Sequence, residues 1–266
     1  MKSRLIAAIL VLTGLASYAF GQSDGIKPDH RTPERIQEII RHFTAKETEF
    51  RDALKQYVFN RFATVNTIGL GGQITGTFRR DSFMTFAEDG SRFEKVIFEP
   101  VATTPPGFVT PEDLEDLGGV NPFALEPANI DKYNFQFLGT EKIDDLNLFV
   151  FDVTPKVIPD PKKSKLRLFT GRVWVDIEDE MIVKTKGKAV PETKINKFPI
   201  VETWRENIDG KYWFPTYASS DDELVFDNGD VQKIRMRVKY TNYKVGHSDV
   251  RILDDVPDPA PTPKKP

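Results

Sequence analysis

The fold of this 266-residue chain is decided by one stretch, residues 135–156, which reads FQFLGTEKIDDLNLFVFDVTPK. Large apolar side chains occupy alternate positions in each half, as at Phe149 and Phe151. An apolar period of two is typical of a β-strand, and the pair Asp144-Asp145 between the halves is typical of a turn. The stretch therefore predicts an antiparallel β-hairpin.

The same pattern continues along most of the chain. Turn dipeptides such as Gly71-Gly72, Asp209-Gly210 and Asn228-Gly229 separate short alternating runs. The predicted strands are residues 57–68, 73–87, 91–98, 133–139, 148–154, 166–177, 181–188, 198–208, 211–219, 223–226 and 231–243. About eleven successive strands favour a single curved antiparallel sheet that forms an incomplete β-barrel over a parallel sheet. We therefore predict a mainly β (α+β) fold.

A long N-terminal helix precedes the sheet. Thr32 is a good capping residue, and Pro33 suits the first helical position because no backbone donor is needed there. Apolar residues then recur every three or four positions and form one stripe on a helix of about 22 residues. Glu47 interrupts the stripe, which predicts that the helix bends or that its middle contacts water. The stripe itself predicts that the helix covers the sheet.

One insertion interrupts the hairpins. Residues 101–132 carry two helix starts, at Thr110-Pro111-Glu112 and at Glu126-Pro127, and Gly118-Gly119 ends the first. A segment of this length is too long for a simple turn. We therefore predict a helical insertion that serves as a lid or as a packed cover.

The two ends of the chain differ from its middle. Residues 1–21 combine a basic start, an apolar run and a small-x-small pattern at Ala19 and Gly21. This indicates a cleaved signal peptide rather than a membrane anchor, because the uncharged run is shorter than a comfortable span. Residues 251–266 are proline-rich, which predicts a disordered tail. The folded domain is therefore predicted to span residues 22–250 and to be periplasmic.

The composition argues against several kinds of site. The absence of cysteine excludes disulfides, thiolate metal sites and thiol nucleophiles. A formal net charge of −3 gives no support for a nucleic-acid partner. The three histidines lack the spacing of metal ligands, and no nucleophile, phosphate-loop or dinucleotide motif occurs. The sequence therefore predicts no catalytic residue, no metal site, no cofactor and no enzymatic activity.

Several strands are apolar on both faces. Leu148 and Val150 alternate with Phe149 and Phe151, and a sheet that is apolar on both sides needs two covers. The helix can provide one cover and the insertion the other. The space between sheet and covers is then either filled core or an apolar cavity, and the sequence leaves both open.

For a cavity, we predict a lining of strand aromatics with a lid of insertion residues. The predicted ligand-binding residues are Phe135, Phe137, Phe149, Phe151, Trp174 and Trp213 on the strands, and Phe108, Leu114 and Phe123 in the lid.

The last predicted strand carries a cation ladder, Lys233, Arg235, Arg237 and Lys239, on one face. The ladder is either a surface for an acidic partner or the solvent face of the sheet, paired with acids on neighbouring strands. The second interpretation requires no partner, and charges also protect an edge strand from aggregation.

Three segments together resemble the bacterial outer-membrane lipoprotein-sorting (LolA-like) superfamily. They are FQFLGTEKIDDLNLFVFDVTPK (135–156), GRVWVDIEDEMIVKTKGKAV (171–190) and VETWRENIDGKYWFPTY (201–217). The matching features are a strand that ends in Pro155-Lys156, a Trp174-x-Asp176 strand before an acidic turn, and a Trp213-Phe214-Pro215 strand after a glycine turn. The resemblance extends from Pro33 to Tyr243 through the order and spacing of these features.

The resemblance implies an incomplete β-barrel whose lidded concave face holds acyl chains or apolar peptide segments. Together with the export signal, it gives the hypothesis of a periplasmic carrier that shelters an apolar ligand, such as a lipoprotein acyl chain or a lipid, without chemistry. Partners would be that ligand and envelope membrane proteins, and the mature chain would not span the membrane. The alternative is an envelope protein-interaction or sensor module with a filled core.

Overall fold

A computed structural model describes residues 25–87, 91–110, 113, 125–164, 166–194 and 196–246. The predicted signal peptide (1–21) and proline-rich tail (251–266) lie outside the described residues. The described part is built around one long helix and one ten-stranded sheet. None of the helices in these ranges has the length and apolar character that crossing a bilayer demands.

Helix α1, Pro33–Leu54, is the long helix that the sequence predicts. The Thr32 hydroxyl accepts a hydrogen bond of 3.3 Å from the backbone N–H of Arg35, and Pro33 occupies the first turn. One face of the helix is buried, at Ile39, Ile40, Phe43, Thr44, Glu47, Phe50, Ala53 and Leu54. The apolar stripe in the sequence is therefore the face that packs on the sheet.

Ten strands follow in chain order, and a short 3-10 helix, Pro127–Lys132, precedes the fourth. They are β1 (Tyr57–Ile68), β2 (Ile74–Phe86), β3 (Arg92–Phe98), β4 (Tyr133–Ile143), β5 (Leu146–Pro155), β6 (Leu168–Asp176), β7 (Ile182–Val190), β8 (Val201–Ile208), β9 (Tyr212–Val225) and β10 (Val231–Val245). The count is ten rather than about eleven because the predicted strands 211–219 and 223–226 are one continuous strand, β9.

The sheet is a single open antiparallel sheet in the order β3-β2-β1-β10-β9-β8-β7-β6-β5-β4. Register shifts lie between Val58 and Asn60, between Phe137 and Gly139, and between Trp204 and Arg205. Such β-bulges bend a strand and increase its twist, which curves the sheet. Strands β3 and β4 form the two edges and do not pair with each other. The predicted incomplete barrel is thus confirmed.

The β4 edge is partly covered by the segment that precedes α1. Lys27 and Thr140 exchange two backbone hydrogen bonds, of 2.7 and 2.9 Å. The approach depends on Gly139, which has a φ of 131°, because a Cβ there would lie 2.2 Å from the carbonyl oxygen of Lys27. Only glycine tolerates both this φ and this proximity.

Helix α1 packs on one face of the sheet, which we call the helix face. The Phe43 ring lies 5.9 Å from that of Phe135 on β4 and 5.6 Å from that of Phe151 on β5. Further along the helix, the ring of Phe50 lies 5.8 Å from that of Phe214 on β9. The helix therefore crosses the sheet diagonally and fills the helix face over β4 to β6 with aromatic core.

The opposite face, the outer face, carries the cation ladder of β10. The ammonium of Lys233 lies 2.8 Å from the Glu223 carboxylate, and Arg235 lies 2.8 Å from Asp221, which also accepts a hydrogen bond from Arg237. Partial burial raises the pKa of Asp221, but the hydrogen bonds from these two arginines lower it overall. Lys233, Arg235 and Arg237 are thus paired with acids of β9, as the solvent-face interpretation predicts.

Candidate ligand-binding cavity

A cavity of about 210 Å³ lies on the helix face, over the part of the sheet that α1 leaves open. Strands β1 and β6 to β10 provide its floor and walls. No residue of α1 lines it. The cavity therefore exists because a single helix is too narrow to cover the whole helix face of ten strands.

Small side chains in the floor leave this space empty. Thr185, Thr203 and Ala218 are directly paired across β7, β8 and β9, and all three line the cavity. A row of short side chains under an uncovered part of a curved sheet produces a concave, largely apolar site.

Phe169 of β6 forms one wall of the cavity. Its ring lies against the paired glycines Gly171 and Gly187, and a Cβ at Gly187 would lie 2.6 Å from the ring. The absence of a side chain at Gly187 therefore permits the ring to rest directly on the backbone of β7.

The cover of the cavity comes from the insertion. Phe108, Val109 and Asp113 line the cavity from this side. The Asp113 carboxylate accepts hydrogen bonds of 2.8 Å from both the backbone N–H and the hydroxyl of Thr110, whose hydroxyl oxygen accepts one of 3.1 Å from the Asp113 N–H. These reciprocal bonds form a capping arrangement that holds the cover in shape.

A buried ion pair stands between the filled half of the helix face and the cavity. Arg205 of β8 lines the cavity and donates hydrogen bonds of 2.6 and 3.1 Å to the Glu47 carboxylate of α1. The two side chains are 2% and 1% exposed. The guanidinium also donates to the Ile182 carbonyl at 3.3 Å and lies 4.2 Å from the centroid of the Phe50 ring. The pair thus ties the middle of α1 to the floor.

This pair corrects the expectation for Glu47. The helix continues through Glu47, and its carboxylate is buried rather than in contact with water. The physical reason is that a buried acid is tolerated when a cation satisfies its charge and its hydrogen bonds.

Tyr240 of β10 contributes a polar group to the lining. Burial raises the pKa of its hydroxyl to about 12, while the charge of Arg61 acts in the opposite direction. Arg61 is itself completely buried and forms an ion pair with Glu94 of β3. The Tyr240 side chain is therefore neutral at physiological pH.

Two lysines line one end of the cavity. Lys188 lies 2.9 Å from the Glu192 carboxylate, and Lys197 lies 2.8 Å from that of Asp227. The hydrogen bond from Lys197 lowers the pKa of Asp227 against a smaller opposing effect of desolvation. This end, which we call the lysine end, is the strongly charged part of the lining.

The structure places the predicted site residues in three groups. Phe108 lines the cavity, whereas Leu114 and Phe123 lie outside the described residues. The four phenylalanines of β4 and β5 lie under α1 with Ile39, Ile40 and Phe43, in a filled cluster. They are Phe135, Phe137, Phe149 and Phe151. These four residues belong to the core rather than to the cavity lining because α1 lies over β4 and β5. Contact between them and a ligand stays a prediction.

The two tryptophans also lie away from the cavity. Trp174 is directly paired with Lys184 on the outer face and donates a hydrogen bond of 2.6 Å to Glu141. Trp213 donates one of 2.8 Å to Asp179 in the turn between β6 and β7. Both indoles therefore fill the core and satisfy their N–H groups through carboxylates.

Sequence reasoning missed Arg205, Thr203 and Ala218. One signal was present: an acid at position 47, in the centre of an apolar stripe, requires a buried cation opposite it. Arg205 stands between Trp204 and Glu206 in a strand, so alternation predicts that its side chain lies on the face opposite theirs. Its pairing with Glu47, however, depends on how α1 packs on the sheet.

The described residues contain no group of three or more His, Asp or Glu side chains placed to hold a metal ion. The polar groups of the cavity are instead the paired Arg205, the Tyr240 hydroxyl, the two lysines and Asp113. This arrangement is suited to holding and orienting a molecule.

No protein-family profile matches the chain, and no curated protein is significantly similar to it. Similar solved structures include a DUF1329 family protein from Desulfovibrio piger ATCC 29098 and a LolA superfamily protein from Nitrosomonas europaea. Each is 14% identical and is matched over 82% of this chain and 95% of the other, with TM-scores of 0.39 and 0.31, respectively. Similarity at this level assigns no ligand and no activity.

Proposed function

We propose that the protein is an exported, periplasmic binding protein that shelters an apolar ligand, such as an acyl chain or a lipid, without covalent chemistry. The observation that carries the proposal is the covered cavity on the helix face, with a floor of Thr185, Thr203 and Ala218 and a cover that includes Phe108 and Val109. The predicted signal peptide supports the periplasmic location.

The size of the cavity suits part of a lipid. An apolar cavity of about 150 Å³ takes up benzene, whereas sites for drug-sized ligands typically have about 300–1,000 Å³. The 210 Å³ here therefore accepts a ring or a short alkyl segment with the cover in place. A complete acyl chain requires the cover to move outward or the chain to extend beyond the cavity.

Burial of apolar surface supplies part of the binding energy. At about 25 cal/mol per Å² of apolar surface, sheltering on the order of 200 Å² of ligand contributes about 5 kcal/mol before ordering costs. A longer segment contributes proportionately more. Release then requires either a competing acceptor or displacement of the cover.

Titration of the delipidated full-length protein with the neutral fluorescent probe N-phenyl-1-naphthylamine tests the proposal. We expect saturable uptake by the native protein and at least tenfold weaker uptake by Ala218→Leu, because the larger side chain fills the floor. Ala102→Leu makes the same chemical change at an exposed position away from the cavity and should bind as the native protein does.

Ala189→Leu, at a second lining position, guards against misfolding of the first variant. Absence of uptake by folded, ligand-free native protein would refute the proposal. Equal uptake by the folded variants Ala218→Leu, Ala189→Leu and Ala102→Leu would place the probe outside the cavity and would also count against it.

The alternative of a protein-interaction module rested on the cation ladder and the proline-rich tail. Lys233, Arg235 and Arg237 are paired with acids of β9, and the tail lies outside the described residues. The cavity is therefore the better support, and it favours the binding-protein function.

A further inference from the structure

Two segments at one end of the sheet are rich in basic residues; we call them loops, although the second begins with the last three residues of β7. Residues 156–167 and 188–197 contain eight Lys or Arg and only two Asp or Glu, although the whole chain has 37 of the former and 40 of the latter. Lys163, Lys188 and Lys197 have carboxylate partners, and the basic residues still outnumber the acidic ones when Asp227, the partner of Lys197, is included.

The fold brings the two loops together. The first loop leads into β6 and the second leaves β7, and Leu168 at the start of β6 is paired with Val190 at the end of β7. The Arg167 guanidinium of the first loop also lies 5.8 Å from the centroid of the Phe198 ring, which follows the second loop. Arg167 of the first loop and Lys188 and Lys197 of the second therefore lie near the same end of β6 and β7.

This end is also the lysine end of the cavity. Phe198 is part of the apolar lining, and Lys188 and Lys197 line the cavity with it. An apolar space that borders a cluster of cations is complementary to a molecule with an apolar body and a negatively charged head.

The acids near the two lysines do not close the site to an anion. Glu192 and Asp227, their partners, have side chains that are 27% and 49% exposed. The lysine side chains are 32% and 14% exposed, so an arriving anion has to compete with each carboxylate, which returns to water when it is displaced. Asp113, the acid of the cover, is engaged by Thr110.

We infer that the ligand is an anionic amphiphile, with its apolar chain in the cavity and its carboxylate or phosphate head against Lys188 and Lys197. The inference rests on the proposed function and names the class of ligand for the same cavity. Lys188 and Lys197 would then select among lipids by headgroup, while Ala218 and Phe108 accommodate the chain.

Competition between pairs of lipids tests the inference. With N-phenyl-1-naphthylamine bound, we compare 1-oleoyl lysophosphatidate with 1-mono-oleoylglycerol, and oleate with oleyl alcohol, all below their aggregation concentrations. Within each pair the chain is constant and only the charge of the head differs. An ionic contact of about 1 kcal/mol corresponds to about fivefold in affinity, so we expect each anion to displace the probe at concentrations at least about fivefold lower.

Charge reversal of Lys188 and Lys197 to Glu should abolish this preference, so that each anion and its neutral partner displace the bound probe at similar concentrations. The milder variant Lys188→Met with Lys197→Met should reduce the preference in the same direction and serves if the reversed protein does not fold. Lys95→Glu on β3 reverses an exposed lysine outside the cavity and should retain the native preference.

The outcomes separate the inference from the proposed function. Equal displacement by anion and neutral partner in the native protein, with the probe bound, overturns the inference and leaves the binding function intact. Lack of probe uptake overturns both. A preference for the phosphate lipid alone, or for the carboxylate lipid alone, identifies the type of headgroup that the two lysines bind. Displacement of the probe by inorganic phosphate, which has no chain, would instead indicate an anion site unconnected with the cavity and would contradict the inference.

Discussion

Removal of the Glu47 carboxylate is expected to destabilise the protein strongly. Glu47→Ala leaves the guanidinium of Arg205 at 2% exposure without the two hydrogen bonds, of 2.6 and 3.1 Å, that now satisfy it. The hydrogen bond to the Ile182 carbonyl and the Phe50 ring would remain. Neither of them neutralises the charge.

The magnitude follows from the burial of the pair. Breaking a buried ion pair by removing one partner typically costs about 3–5 kcal/mol, because an uncompensated charge stays inside the protein. Replacing both partners with apolar residues, Glu47→Leu with Arg205→Met, removes the charge as well and should be neutral or stabilising by up to about 4 kcal/mol. The two single changes should therefore be strongly non-additive.

Equilibrium unfolding in urea, followed by tryptophan fluorescence, measures these effects. With a slope of about 3 kcal/mol/M, the loss in Glu47→Ala should lower the unfolding midpoint by about 1–1.7 M. Glu49→Ala is the matched control on the same helix, since the Glu49 carboxylate is 57% exposed in its pair with Lys46. It should change the free energy of unfolding by less than about 1 kcal/mol.

Two results would refute the reasoning. One is a Glu47→Ala protein that unfolds at the same urea concentration as Glu49→Ala. The other is a double variant whose loss of stability equals the sum of the two single losses, because this would show that Glu47 and Arg205 do not interact.

Three further predictions concern other parts of the fold. Gly139→Ala should lower the free energy of unfolding by about 1–3 kcal/mol, because the new Cβ collides with the Lys27 carbonyl. The Lys27 amide, which now donates a hydrogen bond to Thr140, should also exchange its hydrogen faster. An exchange rate equal to that of the native protein would contradict this prediction. Tyr240 has a higher pKa in the folded protein, about 12, than in the unfolded chain, about 10, so rising pH deprotonates the unfolded chain first and favours unfolding. The contribution of the Tyr240 hydroxyl to stability is therefore complete below pH 10 and is lost between pH 10 and about 12. Urea unfolding at these pH values should show a steeper loss in the native protein than in Tyr240→Phe, and identical slopes would be evidence against burial of the hydroxyl. Thr110→Val should remove the hydrogen bonds that the Thr110 hydroxyl exchanges with Asp113 and destabilise the cover by about 1 kcal/mol. Release of N-phenyl-1-naphthylamine, measured by stopped flow, should then be up to about fivefold faster. An unchanged release rate would show that this segment does not retain the ligand.

Local patterns accounted for the elements of the fold. The capped, amphipathic segment after Thr32 predicted α1 with its observed bounds, because capping and side-chain spacing act over one or two turns. Hairpin turns between alternating runs predicted the antiparallel sheet for the same reason. The strand count differed, since residues 220–222, read as a break, continue β9, and β4 ends at Ile143 rather than at Gly139.

The candidate site was much harder to predict because it depends on contacts between distant segments. Phe149 and Phe151 lie in a buried cluster under α1, and the predicted contact of these residues with a ligand stays a prediction. Trp174 was assigned with them, but its pairing with Lys184 places it on the outer face. Alternation fixes which residues share a face, not which face receives the helix.

By itself, the sequence determined a mainly β chain with a long N-terminal helix, an insertion and an apolar excess, since these features arise from side-chain periodicity and turn residues. Only the tertiary structure decided that Glu47 meets Arg205, that small side chains such as Ala218 form an uncovered floor, and that two lysine-rich loops meet at its end. The reason is that the position of a helix on a sheet depends on the sum of many weak contacts over the whole surface. No local pattern in the chain records that sum.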